Sequence, residues 1–123
     1  MLLKNKRILI VEDDEMMRET LAELVSECGA VVTTASNGNS AFELVKSNSF
    51  DAVVTDVRMP DGDGITLVQN IKTLAIRPLV FVCSGFNDLT VADYSRLNIS
   101  AVFEKPYNFG ALVNSIVTEL SKT

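Results

Sequence analysis

Five short apolar runs recur at nearly even intervals along the chain: Ile8-Leu9-Ile10-Val11, Val31-Val32-Thr33-Thr34-Ala35, Ala52-Val53-Val54-Thr55, Leu79-Val80-Phe81-Val82-Cys83 and Ala101-Val102-Phe103. Their length and β-branched content predict strands, and the first and fourth are apolar almost throughout, as central strands covered on both faces should be. The intervening segments follow a helical period instead. Met17, Leu21, Leu24, Val25 and Cys28 form one stripe, closed by Gly29 in the position of a C-terminal cap. Phe109, Leu112, Val113, Ile116, Val117 and Leu120 form the clearest stripe, with Asn108 as its N-cap. Shorter helices are predicted around Ser40–Lys46 and Ile65–Leu74. The segment Asp88–Leu97 has no clean apolar face and is the weakest helix of the set. Strands alternating with helices predict a parallel sheet with helices on both faces, and right-handed crossovers leave few topologies.

The 123 residues fit one compact unit, with 47% hydrophobic and 22% charged residues, a balance that builds a core without a disulfide or a structural metal. The formal net charge of -5 argues against direct nucleic-acid binding. No apolar run reaches the length of a membrane span, and the first residues lack the apolar stretch of a signal peptide, so a cytoplasmic protein without a membrane partner is expected. There are two cysteines, Cys28 and Cys83, in no metal-binding spacing, and no histidine. Zinc sites of the usual kind, Ser-His-Asp and Cys-His triads and any imidazole base are thereby excluded. Both cysteines sit in apolar-periodic surroundings and read as small core residues.

In an open parallel sheet, ligands bind outside the carboxyl ends of the strands. Those ends carry Glu12-Asp13-Asp14 after the first run, Asp56 after the third, Ser84-Gly85 after the fourth and Glu104-Lys105-Pro106 after the fifth. The second run is followed only by Ser36-Asn37-Gly38. Taken singly, each has an ordinary explanation: a solvated acidic turn at a helix start, a loop cap, a surface lysine. Their arrival at one edge from consecutive strands is harder to explain that way. Three carboxylates crowded together repel one another unless a cation neutralises them, and with only oxygen ligands on offer Mg2+ fits best. Lys105 and Ser84 add a positive charge and a hydroxyl donor, which suits a phosphoryl group attached to a carboxylate. Asp56 is the best-placed nucleophile.

These segments, above all Ile8–Asp14, Asp51–Gly64, Val82–Gly85 and Phe103–Pro106, resemble the receiver domain of two-component response regulators over nearly the whole chain. The resemblance implies a flavodoxin-like (βα)5 three-layer α/β sandwich with strand order 2-1-3-4-5, formed by residues 1–123 as a single receiver domain without an effector domain. It implies that Asp56 accepts a phosphoryl group from a sensor histidine kinase, a phosphotransfer protein or a small donor such as acetyl phosphate. Asp14 and Asp56 would ligate Mg2+ (or Mn2+) directly, the backbone carbonyl of Arg58 would be a third ligand, and Asp13 would act mainly through water. Ser84 and Lys105 would bind phosphoryl oxygens, with a cis Lys105-Pro106 bond. The output surface would comprise the segment Asp88–Leu97, the last strand and the last helix, docking a downstream protein, with homodimerisation on phosphorylation left open. Such a domain is not an enzyme beyond its own phosphorylation and slow dephosphorylation.

The sequence departs from the family pattern at the switch. The aromatic residue usual three positions before the lysine is Val102 here, and Phe103 points to the opposite face of the strand. The aromatic half of the switch is therefore expected to be weakened or rerouted through Tyr107 or Tyr94, while the Ser84 half persists. An Mg-dependent phosphatase using Asp56 as nucleophile is the main alternative, but Arg58 stands where its second acid would be needed and no cap covers the pocket. A receiver-like interaction module silent to phosphorylation is a third reading, opposed by the retained set of Asp13, Asp14, Asp56, Ser84 and Lys105.

Two positions tune phosphoryl lifetime in the resembled family, Arg58 and Phe86. The bulk of Phe86 is expected to hinder an attacking water and slow self-dephosphorylation. Phe86→Ala should accelerate phosphoryl loss several-fold, on the scale of about 1 kcal/mol in barrier, measured by the decay of intact phosphorylated mass; an unchanged rate would exclude Phe86 from that role.

Overall fold

A computed structural model describes residues 2–59, 61–84, 99–104 and 108–122. Five parallel strands, β1 (Arg7–Val11), β2 (Val31–Ala35), β3 (Ala52–Asp56), β4 (Leu79–Ser84) and β5 (Ala101–Glu104), form one sheet in the order β2-β1-β3-β4-β5. This is the expected order. Four helices accompany it among the described residues: α1 (Glu15–Glu27), α2 (Gly38–Ser47), α3 (Gly64–Ile71) and α4 (Phe109–Leu120). The helix expected around Asp88–Leu97 lies outside the described residues.

Strand alternation divides the core into two layers. On one face Leu9, Val11, Val53, Val80 and Val82 pack with Ala41 and Val45 of α2 and Leu67, Val68 and Ile71 of α3. On the other, Ile8, Ile10, Val54, Phe81 and Cys83 pack with Leu21 and Val25 of α1 and Leu112, Ile116 and Leu120 of α4. Because both faces are covered, β3 is buried from end to end. Cys83 is buried in the core as expected, and Cys28 is half-buried at the end of α1. Leu3, outside any predicted element, is only 1% exposed and closes the second layer, held by its N–H donating to the Cys28 carbonyl at 2.7 Å.

The helix boundaries follow local chemistry. Asp14, Asn37, Asp63 and Asn108 are the N-caps of the four helices, each side chain accepting from the backbone N–H three residues on. Gly29 has φ 95° just past α1, the left-handed conformation that ends a helix and that its sequence position predicts. The third helix ends earlier than its apolar stripe suggests: α3 closes at Ile71 and Lys72–Leu74 continue as tight turns, with Thr73 N–H and Leu74 N–H donating to the Asn70 and Ile71 carbonyls.

One glycine fixes how closely a helix approaches the end of β3. At Gly64 a Cβ would run into the carbonyl oxygen of Asp56, while the Gly64 N–H donates to the Val57 carbonyl at 2.8 Å. Gly64→Ala must push α3 off the sheet and is expected to destabilise the protein by about 1–3 kcal/mol, as overpacking of a closed contact does; urea denaturation of the two proteins measures it, and equal midpoints would disprove the constraint.

Candidate functional site

The carboxyl ends of β1, β3, β4 and β5 share one edge because all pairings are parallel, with Val11 opposite Thr55, Asp56 opposite Cys83 and Ser84 opposite Glu104. Asp56 is the last residue of β3 and only 6% exposed. Two backbone contacts orient it. The Val57 N–H donates to Asp56 Oδ1 at 2.8 Å and also reaches the Cys83 carbonyl at 3.2 Å, while Thr55 Oγ1 donates to the Asp56 carbonyl at 2.9 Å. Beside Asp56 lies a small cavity of about 10 Å³ lined by Val11, Glu12, Leu21, Val54, Thr55, Asp56 and Cys83. That volume barely admits one water, so little space is left on this side of Asp56.

Glu12, Asp13 and Asp56 each bring a carboxylate oxygen into a group whose members all lie within 4.8 Å of one another. This grouping differs from the expected metal set. Asp14 is not among the gathered carboxylates: it takes the extended N-cap conformation of α1, with Oδ1 accepting from the Met17 N–H at 2.9 Å. Its place is taken by Glu12, the first residue past β1, which is 4% exposed and whose Oε2 accepts from the Asp13 N–H at 3.1 Å. Sequence reasoning took Asp13 and Asp14 as the acidic pair and did not include Glu12 in the cluster. The signal was present, since the apolar run ends at Val11 and an aspartate immediately before a helix is a preferred N-cap. Arg18, also not foreseen, reaches from α1 to donate from Nη1 to the Glu12 carbonyl at 2.9 Å, tying the turn that carries Glu12 and Asp13.

Ser84 ends β4 on the strand adjoining Asp56 and is 3% exposed. Arg58, two residues past Asp56, is exposed. Val102 is half-buried and packs against the layer beneath α2 and α3, whereas Phe103 packs against the layer beneath α1 and α4, so the two occupy opposite faces as strand alternation requires. Lys105, Phe86, Tyr94 and Tyr107 lie outside the described residues.

An all-oxygen donor set with two buried carboxylates and one exposed one fits a hard divalent cation such as Mg2+, which takes one or two carboxylates and keeps waters. Of the described helices, none is long and apolar enough to cross a membrane.

Residues 8–117 match the model of the response regulator receiver domain family. The chain is 33% identical over 112 residues to the response regulator receiver protein CpdR of Brucella abortus, covering 90% of this chain and 93% of that protein. It is 33% identical over 119 residues to the transcriptional regulatory protein PdtaR of Mycobacterium tuberculosis, covering 95% of this chain but only 58% of that longer relative. The CheY-like receiver domain from Methylobacillus flagellatus superposes with a TM-score of 0.83 at 28% identity, covering 95% of this chain and 99% of that one.

The two candidate metal sets separate experimentally. Glu12→Gln and Asp13→Asn should each weaken Mn2+ or Mg2+ binding by about tenfold or more, whereas Asp14→Ala should leave affinity within about twofold and cost about 1 kcal/mol of stability as a lost cap. Isothermal titration with Mn2+ and denaturant unfolding distinguish them. A large affinity loss confined to Asp14→Ala would restore the set expected from sequence.

Proposed function

The chain belongs to the response regulator receiver domain family, and we propose that within it Asp56 is the phosphoacceptor, charged by a sensor histidine kinase, a phosphotransfer protein or a small phosphodonor. The observation that carries this is the burial of Asp56 at a strand end within 4.8 Å of Glu12 and Asp13. In the reaction an Asp56 carboxylate oxygen bonds to phosphorus while the P–N bond of a phosphohistidine, or the P–O bond of acetyl phosphate, breaks. The absence of histidine from the chain accords with a donor that supplies its own.

Glu12, Asp13 and Asp56 would hold Mg2+ or Mn2+, with the Arg58 backbone carbonyl as a further ligand. When bound, the ion offsets the negative charge shared by the carboxylates and the incoming phosphoryl oxygens. The chain's own residues do the positioning. The Val57 N–H holds one Asp56 oxygen, and the Ser84 hydroxyl stands on the neighbouring strand end as a donor to a phosphoryl oxygen. Lys105 completes the set as a fixed cation in this reading. Arg58 and Phe86 set how readily water reaches the acyl phosphate, and the modified domain binds a downstream protein through the surface formed by residues 88–97, β5 and α4. A cytoplasmic location suits all of these partners.

An aspartyl-nucleophile phosphatase requires an acid to protonate the leaving group, and Arg58 at that position cannot act as one. A phosphorylation-silent module would have no need of the buried, clustered carboxylates.

Incubation with acetyl phosphate and Mg2+ should add one phosphoryl group to a large share of the native chain, detected as intact mass, and essentially none to Asp56→Ala or to the native chain in EDTA. Turnover of phosphate esters would favour the phosphatase. No adduct with either acetyl phosphate or a histidine kinase would leave only the silent module.

A further inference from the structure

The parallel sheet has a second edge, formed by the amino ends of the strands, and the charges of the chain are divided between the two. Lys4, Lys6 and Arg7 stand at the start of β1, Lys46 lies in the last turn of α2, and Lys72 and Arg77 flank the loop leading into β4. The carboxylates of Glu12, Asp13, Asp14, Asp56, Asp61 and Asp63 collect at the opposite edge, while two stay on the basic side: Asp51, whose Oδ2 accepts from the Arg7 N–H at 2.8 Å, and Glu43, paired with Lys46 at 2.9 Å. A chain of net charge -5 therefore carries a basic end.

That end also contains a cleft. An open cavity of about 350 Å³ lies between the turn after α2 and the loop before β4, walled by Val45, Phe50, Leu74, Ile76 and Pro78 with Lys46 at its rim. Its volume is in the range of sites that accept a side chain or small ligand. Ile76 is 88% exposed, the most exposed of the large hydrophobic residues described. Two of the cations are spread over aromatic rings here, Arg7 at 5.6 Å from the Phe50 centroid and Lys46 at 5.1 Å from that of Phe42. Their stems extend the apolar surface while their charges stay in water. Nothing in phosphoryl acceptance uses this end, which lies across the sheet from Asp56.

We propose that this cleft is a docking site for an acidic protein segment that inserts one aliphatic or aromatic side chain between Phe50, Leu74, Ile76 and Pro78. Flanking carboxylates on that segment face Arg77 and Arg7, and reach Lys46 in exchange for its exposed partner Glu43, a surface pair worth little in water. Charge complementarity selects the acidic flanks, and the apolar cleft with an exposed isoleucine selects a peptide over a polyanion that lacks a side chain to insert. Because the cleft and Asp56 are on opposite edges, docking is independent of the state of the acceptor, and it tethers the domain to a partner before and after phosphorylation.

The test is fluorescence anisotropy of the full chain with a fluorescein-labelled peptide in which glutamates flank a Leu-Phe pair, alongside a labelled single-stranded oligonucleotide. Saturable peptide binding is expected to weaken about tenfold in Ile76→Ser, as removal of one buried aliphatic contact does. A similar loss is expected in the double charge reversal Lys46→Glu with Arg77→Glu, and added salt should weaken the native complex. Asp56→Ala should bind like the native chain, which separates this proposal from the phosphoacceptor reading. All three altered residues are at the surface, and thermal unfolding checks that the variants remain folded. Absence of saturable peptide binding, binding indifferent to Ile76→Ser, or equal binding of the oligonucleotide would each overturn the proposal.

Discussion

The parallel ladder is the constraint on which the rest of this molecule depends. In a sheet with one strand direction, all carboxyl ends arrive at one edge and all amino ends at the other. The register then decides which side chains meet. Val11 opposite Thr55 and Asp56 opposite Cys83 place the first residue past β1 beside the last residue of β3. Glu12 and Asp56 are brought together although 43 positions of chain lie between them. A slip of one residue in β3 would turn Asp56 to the other face of the sheet, into the layer beneath α2 and α3. Val53 and Val54 would only trade one apolar layer for the other, so the slip is opposed chiefly by Asp56 itself, whose carboxylate would enter an apolar layer without its partners.

Helix direction adds a second consequence. Each crossover returns antiparallel to the strands, so all four described helices begin at the carboxyl edge and end near the amino edge. Their positive N-terminal poles thus lie where the carboxylates collect, and the negative poles of α2 and α3 lie where Lys46 and Lys72 stand, whereas α1 and α4 carry Glu27 and Glu119 at that end. The acidic and basic ends are therefore two expressions of one topology rather than independent features. The same geometry creates a demand for caps at the acidic edge, met by Asp14, Asn37, Asp63 and Asn108. An aspartate there has two possible occupations, capping a helix or joining the carboxylate cluster, and its backbone conformation chooses between them.

That choice marks the limit of what the sequence made legible. Strand positions and the alternation of elements were readable because the β-branched runs are bounded by polar turns and the helical stripes are long. Strand order came from resemblance, and the sheet confirms it. The acidic run was readable as a site but not residue by residue. Four consecutive acids, Glu12-Asp13-Asp14-Glu15, carry the same charge in sequence, and only the end of β1 at Val11 and the start of α1 at Glu15 assign them different work. Contacts made by single side chains were invisible for a related reason. Arg18 reaching the Glu12 carbonyl and Leu3 filling the layer under α1 depend on where a residue lies after folding, and neither belongs to a motif. The early end of α3 was hidden because Leu74 continues the apolar stripe in a tight turn rather than in a helix.

The division of the core into two layers also bears on how a change at Asp56 reaches the surface. Ser84 on β4 is opposite Glu104, and two positions earlier Val82 is opposite Val102. Val82 and Val102 share the layer beneath α2 and α3, whereas Cys83 and Phe103 share the other. A displacement at Ser84 passed along β5 on the first face therefore meets a β-branched aliphatic residue with one strongly preferred rotamer in place of a ring that can swing. The ring that is present, Phe103, is packed with Ala101 and Phe109 against the layer of α1 and α4. Among the described residues, β5 therefore offers a small shift of the strand against its packing rather than the reorientation of a ring on that face. Since a ligand or modification moves an equilibrium only by its differential affinity for the two states, whatever passes through β5 is limited to what a shift of that strand can distinguish.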